Sequence, residues 1–113
     1  MNKISAKSMI EDIVGCKWSL SVLEMVKDGI NRPGQMARAK KGLTAKVLNE
    51  RLRKLVRYKI IEKVEHGEGP PRVEYFFTEF GKKFHRVIDE INRLDQDLIR
   101  GTRPRPASRP SDS

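Results

Sequence analysis

Apolar positions along the 113-residue chain follow a helical rhythm in most places and a two-residue rhythm in one. In segment 7–14, KSMIEDIV, the residues Met9, Ile10, Ile13 and Val14 fall at helical spacing, which predicts a short amphipathic helix. Gly15 and Cys16 interrupt it. Segment 17–28 repeats the pattern with Trp18, Leu20, Val22, Leu23 and Val26, and Gly29 suits the position just past a helix end. In segment 30–41, Pro33 fits a first helical turn, where its missing N–H costs nothing. Met36, Ala37 and Ala39 are small or flexible enough to lie against another helix. After a Gly-containing turn, residues 44–58 place Leu48, Leu52 and Leu55 on one stripe, flanked by Val47 and Val56, with Thr44 as N-cap. The rhythm then changes. Segments 60–66 and 72–78 alternate as strands, with Val73, Tyr75 and Phe77 on one side, and the turn cluster 67–71, GEGPP, separates them. Helical spacing returns over 79–100, where Phe84, Val87, Ile91, Leu94 and Leu98 make a heptad seam widened by Phe80, Ile88 and Ile99.

Two helices across a short turn form a helix-turn-helix, although any helical hairpin shows that spacing. A β-hairpin directly after the second helix narrows the reading to a winged helix-turn-helix, mainly α with a small β-hairpin wing in an α+β arrangement. The expected organisation is one domain over 1–100. The tail 101–113 lacks periodicity and is rich in Pro, Arg and Ser, so disorder is expected there, with Arg103, Arg105 and Arg109 able to trail along phosphates. The proline pair in the hairpin tip stiffens its loop. A last helix of roughly 30 Å reaches past so small a domain. Homodimerisation through that seam is one expectation; the other is a helix folded back wholly on helix 1.

Charge changes the picture from fold to partner. The net charge is +9 and the pI about 10.0, and residues 32–63 hold eleven cations against only Glu50 and Glu62. The flanking segments nearly cancel. A block so localised points to a polyanion, whereas a solubilising surface would mix signs. Leu48, Leu52 and Leu55 would bury one side of the 44–58 helix and leave Lys46, Asn49 and Arg53 toward a major groove. Thr44 and Ala45 join them at the helix start. Arg32, Gln35, Arg38, Lys40, Lys41, Lys54 and Arg57 are the candidate phosphate contacts, and Arg72 is the one cation near the wing tip. Arg51 stays open between an ion pair and a backbone contact. Glu65 and Glu68 would repel phosphate.

Other chemistry is thin. Cys16 is the single cysteine, which excludes an internal disulfide and a Cys-based zinc cluster. It reads as a half-buried small hydrophobe, the competing role being a redox switch with Lys17 beside it. Trp18 reads as a core anchor, against a base-stacking platform. His66 reads as a solvated strand end, and its distance from His85 gives no metal spacing. No Ser/His/Asp set, Gly-rich phosphate loop or paired carboxylates support an enzyme, and no cofactor is expected. No apolar run reaches about 18 residues and no signal segment opens the chain, so a cytoplasmic protein without membrane contact is expected. Three functions remain in play: a sequence-specific regulator on a palindromic operator in double-stranded DNA, a general chromosome- or RNA-binding protein, and a protein-interaction module on a borrowed fold.

Three segments carry a family resemblance covering about 8–98: GCKW at 15–18, LNERLRKL at 48–55 and PPRVEYFFTEFGKKF at 70–84. Together they resemble the HxlR family of winged helix-turn-helix transcription regulators, akin to the MarR group. The resemblance implies a DNA-binding homodimer joined through the N-terminal and last helices, here Met9, Ile13, Phe84, Val87, Ile91, Leu94 and Leu98. It implies base contacts at Thr44, Lys46, Asn49 and Arg53, Arg72 at the wing, and an unidentified small-molecule or redox signal. Two departures stand out. Ser5 and Ala6 occupy the neighbourhood where many members carry a Cys-Pro, and Pro33 stands where Phe is frequent.

Overall fold

Five helices and one hairpin follow in the order that the periodicity predicts. The computed structural model describes residues 5–69 and 72–101. It holds α1 (Ala6–Gly15), α2 (Ser19–Lys27), α3 (Pro33–Ala39), α4 (Ala45–Arg57), β1 (Ile61–His66), β2 (Arg72–Phe77) and α5 (Glu79–Ile99). The proline pair of the wing tip and the expected tail beyond Gly101 lie outside the described residues. The chain divides into two compact units, Met1–Lys82 and Lys83–Ser113.

In the first unit, local chemistry sets each helix end. Ser8 N–H donates to Ser5 Oγ at 3.0 Å to open α1. α2 closes with Gly29 at φ 84, its N–H on the Val26 carbonyl and the Ile30 N–H on the Met25 carbonyl, a double C-terminal bond that needs the left-handed residue. Pro33 sits in the first turn of α3. α4 opens on Thr44, whose Oγ1 accepts from Val47 N–H at 3.2 Å. It ends like α2, with the Lys59 N–H on Val56 and the Ile60 N–H on Leu55, although here a lysine takes φ 64.

Ile13, Val22, Leu23, Met36, Leu48, Leu52, Leu55, Ile60 and Ile61 are fully buried, each contributing about 1.5–3 kcal/mol against its exposed state. The hairpin is antiparallel from Ile61↔Phe77 to His66↔Arg72, which puts Val73, Tyr75 and Phe77 on one face as the alternation predicts. The Tyr75 N–H donates to the Asn31 carbonyl at 3.0 Å, pinning β2 to the chain just before α3. At the start of α5, Thr78 Oγ1 donates to the Lys59 carbonyl at 2.6 Å and accepts from Gly81 N–H at 2.9 Å.

The second unit is the continuation of α5, with Phe84, His85 and Ile88 buried and Ile91 half-buried. Val87, Leu94 and Leu98 stay 44%, 63% and 62% exposed, so this part of the seam meets water in the single chain. Met9, Ile13 and Phe84 behave otherwise. Expected at a dimer interface, they are 5%, 0% and 5% exposed in the single chain.

Candidate nucleic-acid interface

α3 and α4 are joined by a tight turn in which Gly42 takes φ 91 and Leu43 drops into the core. Glycine suits that left-handed position because it carries no Cβ. The Trp18 ring lies over the turn, 3.7 Å from where a Cβ on Gly42 would stand. Trp18 is therefore a half-buried brace for the turn, close to the anchor expected of it, and it holds φ 77 to get there. A bulky residue in that region carries strain of roughly 1–2 kcal/mol, which packing on the turn offsets.

At helical geometry α4 carries three stripes. Leu48, Leu52 and Leu55 face the core at 1%, 1% and 0% exposure. Lys46, Asn49, Arg53 and Arg57 are exposed, and among the described residues none of them meets a protein hydrogen-bond or ion-pair partner. Thr44 and Ala45 are exposed at the start of the same helix.

The third stripe, Arg51, Lys54 and Tyr58, faces α1 and the loop after it. Lys54 Nζ donates to Asp12 Oδ1 at 2.9 Å and to Cys16 Sγ at 3.5 Å, and Tyr58 Oη donates to Asp12 Oδ2. Arg51 Nε–H donates to the Lys17 carbonyl at 2.8 Å, which resolves it as a tie between α4 and the loop. The Tyr58 hydroxyl, then the Lys54 ammonium, hold the Asp12 carboxyl below its ordinary range; the same carboxylate raises Lys54 and Tyr58. Lys54, expected on phosphate, is thus turned inward to a carboxylate and a thiol. Cys16 is half-buried as expected, and its cationic neighbour in space is Lys54, in addition to the sequence neighbour Lys17.

Around the wing root the cations are distributed differently. Gln35, Arg38, Lys40, Lys41 and Arg72 are exposed. Arg32 Nε–H donates to Glu74 Oε2 at 3.3 Å, while Glu74 Oε1 lies 2.6 Å from His66 Nε2. His66 is an exposed strand end, as expected, and is also paired. It and Arg32 hold the Glu74 carboxyl below its usual range. Arg32, Gln35, Arg38 and Arg72 line one open concavity of about 440 Å³.

A helix-turn-helix with an exposed cationic second helix and a hairpin behind it is the framework of a DNA-binding protein. Residues 13–102 match the model of the HxlR-like helix-turn-helix family. The chain belongs to that family. Within it, an HTH-type transcriptional regulator of Synechocystis sp., sll1512, is 36% identical over 90 residues, 80% of this chain and 67% of that protein. Among solved structures, one described as a MarR-family regulator from Enterococcus faecalis V583 superposes with a TM-score of 0.76 at 26% identity, over 89% of this chain and 92% of the other. Diamide-treated YodB from Bacillus subtilis superposes at 0.70 and 26% identity, over 84% and 96%. This HxlR-like chain is accordingly a transcriptional regulator with a winged helix-turn-helix DNA-binding fold, and its relatives are regulators rather than enzymes. Among the described residues no helix is long and apolar enough to cross a membrane. Sequence reasoning missed Asp12, Tyr58 and Glu74. Each acts on a partner at least 42 residues away, except for the Glu74–His66 pair, which the hairpin register alone could have suggested.

Proposed function

We propose that this HxlR-like protein is a sequence-specific regulator that binds a two-half-site operator as a homodimer. α4 enters the major groove, where Lys46, Asn49 and Arg53 read base edges and Thr44 and Ala45 approach the groove at the helix start. Arginine suits guanine O6/N7 and asparagine adenine N6/N7, each good pair giving about 1–3 kcal/mol of discrimination. Gln35, Arg38, Lys40, Lys41 and Arg57 contact phosphates and fix the register. Arg72 engages the backbone or minor groove beside them. Lys54 has no part in this set, because Asp12 and Cys16 occupy its ammonium.

The observation that carries the reading is the outer stripe of α4. Three long cations and an asparagine stand exposed there without a protein partner, on a helix whose other two stripes are fully engaged. Pairing of two copies is supported by Val87, Leu94 and Leu98, an apolar row exposed along one side of α5. A dimer would set two α4 helices about one helical turn, roughly 34 Å, apart.

The test is selection of bound duplexes from random sequence, with affinity then measured over a salt series and against random competitor. The reading expects an enriched palindromic motif, strong preference over competitor, and affinity falling steeply with salt. Equal binding to random duplex would instead indicate a general nucleic-acid-binding protein. Salt-independent affinity would remove the electrostatic basis of the interface.

A further inference from the structure

The concavity between the start of α3 and the root of the wing gathers into one recess four residues that the sequence offers only as separate phosphate and wing contacts. Arg32, Gln35 and Arg38, from the lead into α3 and from α3 itself, line it together with Arg72 at the start of β2. Its walls are held in place before any ligand arrives. The Tyr75 N–H is bonded to the Asn31 carbonyl at 3.0 Å, and Arg32 to Glu74 at 3.3 Å, so β2 is tied to the lead into α3 at two points. Arg38 folds along the wall, its Nη1 lying 3.5 Å from where a Cβ on Gly34 would stand. Arg38 and Arg72 meet no carboxylate among the described residues. Arg32 spends its Nε–H on Glu74 and keeps its Nη hydrogens. Three guanidiniums against one carboxylate leave a surplus of positive charge facing a recess too polar for an apolar ligand.

We propose that this recess is a seat for one phosphate group, gripped jointly by Arg38 and Arg72 with Arg32 shared between the phosphate and Glu74. Guanidinium forks match phosphate oxygens, and charged hydrogen bonds of this kind are the strong ones. The inference rests on the DNA-binding reading for its ligand, a backbone phosphodiester. A free phosphate would satisfy the same chemistry. The seat makes the wing and the helix-turn-helix contact one and the same phosphate, so the two halves of the interface share a fixed register point. Glu74 keeps Arg32 ordered while the seat is empty and competes for it when the seat is filled.

The experiment uses the full chain and a duplex recovered by selection, with a neutral methylphosphonate placed at each backbone position in turn. On the unmodified duplex, Arg38→Gln and Arg72→Gln each weaken binding about tenfold and lower the salt slope by about one unit. Glu74→Gln strengthens binding and steepens the slope. At one methylphosphonate position both arginine substitutions lose their effect, while Lys46→Gln keeps its own. Arginines silenced at two different positions would overturn the shared seat for DNA. In a second arm, inorganic phosphate is titrated into the DNA-free protein with amide NMR detection. Shifts confined to residues 32–38 and 72–74, abolished by Arg38→Gln, would assign the seat to a free phosphate if the first arm fails. Absence of both effects overturns the proposal. Failure of the protein to bind any duplex would reject the DNA reading on its own, and the phosphate arm would still decide the seat.

Discussion

Asp12 holds two groups of α4 at once, the Lys54 ammonium on one oxygen and the Tyr58 hydroxyl on the other. Its carboxyl is depressed in the folded state, so its contribution is complete above the ordinary aspartate range and is lost as pH falls through the lowered value. Lys54 and Tyr58 are raised, and their share fades only in strong base. The network is therefore intact from about pH 5 to pH 9. Asp12→Asn is expected to cost about 1 kcal/mol at neutral pH, because 37% exposure of the carboxylate screens the pair. Thermal melts of wild type and variant should converge in acid, where the wild type loses what the variant already lacks; parallel melts at every pH would contradict this role. Lys54 also shows where reading the chain stops. Its place on the 47–51–54–58 stripe is legible from helical spacing, but the partner that claims it lies 42 residues away on another helix.

Elements were the most readable level. The leucine stripe of α4, the alternation of β1 and β2 and the Thr44 cap all follow from local rules, and the structure has them where those rules put them. The left-handed Trp18 and Lys59 were not legible, since local preference opposes both: packing on the Gly42 turn offsets the first, and the paired C-terminal hydrogen bonds of α4 the second. Close approach between elements was equally hidden. A Cβ on Gly81 would stand 1.8 Å from the Ile60 carbonyl oxygen, so the first turn of α5 rests directly on the backbone that leaves α4. Gly81→Ala must push the two apart, and a loss of about 3 kcal/mol is expected from chemical denaturation. Gly67→Ala, with open space around its Cβ, should stay within about 0.5 kcal/mol. Equal effects at the two glycines would contradict the close approach.

For the whole molecule, the localised charge and the winged framework were evident from the chain alone, and family membership confirms the framework. The division of labour along the apolar seam was not. Met9, Ile13 and Phe84 are buried in the single chain, whereas Val87, Leu94 and Leu98 are exposed in it. Leu94→Glu with Leu98→Glu should convert a dimer to a monomer in analytical ultracentrifugation while leaving the helical circular dichroism signal in place. A monomeric wild-type chain would contradict the two-half-site arrangement. The central claim concerns the outer stripe of α4, and the most direct measurement is the base-by-base specificity of Asn49→Ala and Arg53→Ala on the selected duplex. Each variant is expected to lose discrimination at one base position per half-site, worth about 1–3 kcal/mol, and to retain it elsewhere. A uniform weakening at every position, or no change at all, would contradict base reading by this helix.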